Sequence, residues 1–217
     1  MIPLYDVIPS RTTPIVTVGL VVVNVLMFLF ELSQGDSVDR VFMSYGLIPA
    51  EFSLATLATS MFLHGGFVHV GGNMLFLWIF GGTVEDRMGH LRFLVFYLLC
   101  GTAAALAQTL MRPDSLLPIM GASGAVGGVM GAYFVLYPNS QIVTFALFKC
   151  IEVPALLFLG LWFVLQFLSD VGSLAENASA GGIPFWVHVG GFGAGVVGVF
   201  LFRRPERQRV EWWDGLR

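Results

Sequence analysis

An all-α membrane bundle of six spanning helices is the fold class that this 217-residue sequence predicts, on three observations. Hydrophobic residues make up 56% of the chain and charged residues 12%, about half the charge that a soluble domain carries. Apolar runs on the order of 20 residues, long enough to cross a bilayer, recur along the whole length. Twenty-six glycines and a mean hydropathy of +0.81 suit closely packed membrane helices. There is no P-loop, no HExxH and no zinc-knuckle spacing.

The first run, 14–32, follows Thr12 and Thr13 as candidate caps, with Pro14 tolerated at the first turn. No small-residue cleavage site follows it, so it reads as a spanning helix rather than a signal peptide. Residues 33–66 hold Asp36, Asp39, Arg40, Pro49 and Glu51 among apolar neighbours, the pattern of a long first loop partly embedded at the interface. Five further runs follow at 67–84, 91–111, 119–137, 153–169 and 183–202; the fourth helix is short and glycine-rich. Gly81 to Gly89 reads as helix exit and turn, with Glu85 and Arg87 in structural pairings. Cys100 and Cys150 read as packing residues without a disulfide. Residues 1–217 form one domain, closed by a basic tail at 203–217 that carries Trp212 and Trp213.

Lys and Arg concentrate on the cytoplasmic side of membrane proteins. With the N-terminus inside, nine of them (Arg11, Arg87, Arg92, Lys149, Arg203, Arg204, Arg207, Arg209 and Arg217) fall inside, and Arg40 and Arg112 fall outside. Six spans then leave both termini in the cytoplasm, and a bacterial plasma membrane is the expected location. The same count puts Ser123, His188, His69 and Asn73 at one shallow depth below the outer face, at a rise of about 1.5 Å per residue.

Polar groups in lipid are costly, so that coincidence calls for a reason. Ser123, Gly127 and Gly131 recur at i, i+4, i+8, and His188, Gly191 and Gly195 at i, i+3, i+7, giving each helix a small-residue stripe. Facing stripes of this kind let two backbones nearly touch. Ser123 then meets His188, which serves as general base for a serine nucleophile. His69 and Asn73, four apart, project from one face and suit an oxyanion site, with the Ser123 N–H as a third donor. Taken singly, each feature also fits plain packing: glycines for helix contact, a serine bonded back to its own helix, an interior histidine. His64 lies five from His69 on another face, and no carboxylate or cysteine sits beside them, so no metal and no other cofactor is expected.

These residues resemble the rhomboid family of intramembrane serine proteases over roughly 14–203. The likeness rests on Gly121-Ala122-Ser123-Gly124, on His188 with Gly190, Gly191 and Gly195, and on His69-x-x-x-Asn73. Tyr45 to Pro49 and Ser60 to Gly65 add to it. The resemblance implies a Ser–His dyad without Asp, the oxyanion at His69 and Asn73, and single-pass or other transmembrane proteins as substrates, cut near the outer face within membrane lipid. Gly127 stands where some members carry an aromatic ring that stacks on the histidine. No nucleic-acid partner is expected. The alternatives are a catalytically silent relative that binds membrane clients, against which the intact Ser123 and His188 stand, and a small transporter, for which no inverted repeat is visible.

Overall fold

The computed structural model describes residues 2–9, 11–146, 148–175 and 185–205, without the side chains of 166–175. A short strand β1 (Ile2–Asp6) leads into helix α1 (Ile15–Ser33). The first loop carries α2 (Val38–Tyr45), α3 (Leu54–Thr59) and three single 3-10 turns, at Gly35–Ser37, Pro49–Glu51 and Ser60–Phe62. Then come α4 (Phe67–Met88), α5 (His90–Met111), α6 (Ser123–Leu136), a hairpin of β2 (Gln141–Ala146) and β3 (Lys149–Pro154), α7 (Ala155–Ala175) and α8 (Phe185–Phe202).

Among the described residues four helices, α1, α4, α5 and α8, are long and apolar enough to cross a membrane. The shorter α6 is nonetheless the centre of the bundle: every residue from Gly124 to Tyr133 is buried. Its 14 residues rise about 21 Å, short of a hydrocarbon core of about 30 Å. Pro138 follows it and cannot continue the ladder.

The outer helix α1 shows why this bundle belongs in lipid. Thr17, Asn24 and Glu31 recur every seven residues and are its buried polar stripe, whereas Val22, Leu26 and Leu29 are exposed. A water-soluble helix would turn the opposite faces outward.

Several expectations change here. The sheet is a departure from an all-α fold: β1, β2 and β3 form an antiparallel sheet in that order, with Pro3 opposite Thr144 and Ile142 opposite Val153. Pairing of Lys149–Pro154 with β2 delays α7 to Ala155, two residues beyond the expected start at 153. Cys150 therefore lies exposed on β3, while Cys100 is buried in the core. The α4 helix runs through the expected turn to Met88 and ends at Gly89, whose φ of +82° suits glycine. Residues 119–122, expected in the fourth helix, precede it, with Ala122 as its N-cap, and 183–184 and 206–217 lie outside the described residues.

The cap of α1 also differs. Neither Thr12 nor Thr13 caps it; Glu85 of α4 does. The Glu85 carboxylate, fully buried, accepts from the N–H groups of Val16 (3.0 Å) and Thr17 (2.8 Å), from the Thr17 hydroxyl (2.7 Å) and from His90 Nδ1 (2.5 Å). A carboxylate at a helix N-terminus meets both its free donors and its dipole. Glu85→Ala would orphan at least two buried donors at about 1–3 kcal/mol each, so a loss of about 3 kcal/mol in unfolding free energy is expected. Asp86→Ala, which removes partners of the exposed Arg11 N–H and Thr12 hydroxyl, should cost much less in the same detergent melt.

Candidate active site

Ser123 owes its position to the chain in front of it. Residues 115–121 are laced to the first loop by Ala50 N–H to Ser115 O (3.1 Å), by a reciprocal Leu47–Ile119 pair (3.0 and 2.8 Å), and by Gly121 N–H to Ser60 O (2.9 Å). Gly121 has φ +121°, a conformation for glycine alone. A β-carbon built there would also come within 2.6 Å of His69 Nε2. Two residues on, Ser123 opens α6, so its N–H has no partner within the helix.

The α8 helix crosses α6 through glycines. A β-carbon on Gly191 would overlap the Gly124 carbonyl, and one on Gly195 the Gly128 carbonyl. Both glycine rows of α6 therefore share the contact with α8. In the expected row, Ser123–Gly127–Gly131, a β-carbon on Gly131 would overlap the Phe192 carbonyl, whereas one on Gly127 would stand 3.5 Å from the His188 carbonyl; Gly124 and Gly128, one residue along, meet Gly191 and Gly195. Only hydrogen side chains permit that approach, and the serine keeps its own side chain by standing at its edge. Ser123 is half-buried at the first position of α6, and His188 is buried four residues into α8, whose backbone at Val187 and His188 runs past Gly124 and Gly127.

The His188 ring meets Trp162 of α7 edge to face, at 5.7 Å between centroids and 70° between planes. Its Nδ1 is buried and has no hydrogen-bond partner among the described residues. Trp186, the near neighbour in sequence, packs on Phe185 instead (5.3 Å). Sequence reasoning missed Trp162, since nothing in an apolar run marks which aromatic residue faces the histidine.

His69 and Asn73 enter from α4 on the other side of Gly121. His69 Nδ1 accepts from the Gly65 N–H (3.3 Å), which leaves the proton of the neutral ring on Nε2, the nitrogen next to Gly121. The Asn73 amide nitrogen lies 3.7 Å from where a β-carbon on Gly121 would stand and, buried, has no hydrogen-bond partner among the described residues. Two donors, His69 Nε2–H and Asn73 Nδ2–H, therefore converge beside the start of α6. His69 also stands within electrostatic reach of His188.

His64 backs this pair, its ring T-shaped against His69 at 5.1 Å and its N–H donating to the buried Glu31 of α1 (3.1 Å). Burial, with the neighbouring His69 second, pushes the His64 imidazole down to about 4, so it stays neutral near pH 7. Its Nδ1 lies 3.3 Å from the Phe62 carbonyl, consistent with donation.

An apolar helical bundle whose histidines and asparagine gather beside the start of its central helix defines an integral membrane protein. Known proteins agree. The Rhomboid domain profile matches residues 51–205. The chain is 31% identical over 190 residues to rhomboid protein 1, mitochondrial, of Saccharomyces cerevisiae, covering 83% of this chain and 52% of that protein. It is 28% identical over 200 residues to the rhomboid protease GluP of Bacillus subtilis (87% and 38%) and 32% identical over 137 residues to the putative rhomboid protease YdcA of the same organism (61% and 68%). This chain belongs to the rhomboid family. It spans about half the length of the yeast relative and less than half of GluP.

Proposed function

We propose that the chain is an intramembrane serine endopeptidase that cuts transmembrane proteins near the outer face of the membrane. The observation that carries this reading is the convergence of His69 Nε2 and the unpartnered Asn73 amide on Gly121, two residues before Ser123, with His188 across the glycine contact. A packing role alone gives no reason to leave a buried amide unpaired at this point. In this scheme α6 and α7 also span the membrane, giving six spans, and both termini are cytoplasmic in a bacterial plasma membrane.

His188 takes the Ser123 hydroxyl proton while Oγ bonds to the scissile carbonyl carbon. The carbonyl π electrons move to oxygen, and the oxyanion is held by Asn73, His69 and the Ser123 N–H. Collapse breaks the C–N bond, and His188 returns its proton to the departing amine. Water, deprotonated by His188, then attacks the acyl ester; the C–Oγ bond breaks and Ser123 recovers its proton. The other donors remain in place throughout, so charge develops against fixed dipoles.

A fluorophosphonate probe applied to the reconstituted chain should label Ser123, and Ser123→Ala should abolish the label. Equal labelling of both forms would remove Ser123 from the role. For the oxyanion, Asn73→Ala should lower kcat on the order of 10²-fold with little change in thermal stability. An unaltered kcat would assign Asn73 to packing.

A further inference from the structure

We propose that Trp162 is the positioning residue of His188, fixing from α7 the ring that the dyad otherwise leaves free; this rests on the protease reading above. A histidine that serves a serine must hold one nitrogen on the hydroxyl. In a triad, a carboxylate on the other nitrogen does this. Here His188 Nδ1 has no hydrogen-bond partner among the described residues, and the two buried carboxylates in the described bundle are engaged elsewhere, Glu31 with the His64 N–H and Glu85 with the start of α1. Gly127, one turn after Ser123 and beside the His188 carbonyl, offers no ring. Trp186 is turned onto Phe185.

What remains on His188 is the edge-to-face contact with Trp162. Such a contact is directional, because a positive ring edge prefers a negative face, so it restricts rotation as well as filling space. Trp162 is itself held. Its ring packs on Phe76 of α4 (6.1 Å), and Phe76 in turn packs on Phe158, four residues before Trp162, and on Phe80. Phe80 then meets the fully buried Tyr133 of α6 edge to face at 4.9 Å. The indole thus belongs to a ring cluster rooted in the core, and the same indole meets His188. A tryptophan that merely filled a gap between helices would not need this alignment.

The test uses the full chain in proteoliposomes with a transmembrane substrate, comparing Trp162→Leu and Trp162→Phe. Trp162→Leu should lower both kcat and the rate of Ser123 phosphonylation by about tenfold or more, with KM close to parental. Trp162→Phe, which restores an aromatic edge, should recover most of both. In a His188→Ala background the leucine change should have no further effect on residual labelling. A parental kcat in Trp162→Leu, a loss confined to KM, or a loss that persists without His188 would each overturn the proposal. Should the leucine variant melt early, Trp162→Met, which keeps flexible volume without a ring, carries the same comparison with Trp162→Phe. Failure of the parent to label at Ser123 would sink the protease reading and this proposal together, whereas parental labelling with an unaffected Trp162→Leu sinks this one alone.

Discussion

Ser123→Ala should abolish cleavage of a co-reconstituted transmembrane substrate, with a fall in kcat on the order of 10⁴-fold or more. His188→Ala should do nearly as much, and the double variant no worse than either, because nucleophile and base act as one unit. Such non-additivity separates a catalytic pair from two residues that each support packing, whose effects would sum. The fold should survive all three. Ser123 stands half-buried in the first turn of α6, and the glycine crossing beside it is unchanged. Thermal melts of the three variants in detergent within a few degrees of the parent, alongside lost cleavage, are the expected pair of results. Cleavage by Ser123→Ala at the parental rate would end the proposal.

Much of this was legible because lipid simplifies the code. Apolar runs gave both ends of α1 and α5 to within one residue, and the end of α8, since few other structures tolerate such stretches. Ser123, His188, His69 and Asn73 stood out for the complementary reason that polar groups in those runs are costly. The sheet was not legible. Its strands are five or six residues long, and β1 pairs with a strand some 140 residues away, a contact that no local pattern announces. Glu85 looked like part of a helix exit because its partners, Val16 and Thr17, lie 69 and 68 residues away in sequence. Trp162 was hidden among apolar neighbours on α7, where periodicity shows that a residue can be buried and not against what.

The glycine register of α6 is the sharpest instance. Glycines 124, 127, 128 and 131 offer two overlapping rows, and helical phase alone cannot say which one meets α8. Both do, Gly124 and Gly128 against Gly191 and Gly195 and Gly131 against Phe192, while Gly127 has room to spare, and that division is testable. Gly191→Ala places a methyl group where the Gly124 carbonyl stands, and backbone cannot yield as a flexible side chain can. The α8 helix must then move outward, taking His188 with it. A cost of about 1–3 kcal/mol in unfolding free energy is expected for the overpacking itself. The catalytic penalty should be larger in proportion, since a displacement of about 1 Å at a reacting pair costs on the order of 10²-fold in rate. Two neighbouring glycines supply the controls. A β-carbon at Gly193 meets nothing within 4 Å, and one at Gly127 meets the His188 carbonyl at an ordinary 3.5 Å, so both alanine variants should retain stability and most activity. Measured together by melting temperature and kcat, the three alanines distinguish a contact through Gly124 and Gly191 from one through the Ser123–Gly127 row. If Gly127→Ala proved the damaging change and Gly191→Ala the silent one, the register described here would be wrong, and with it the account of how Ser123 reaches His188.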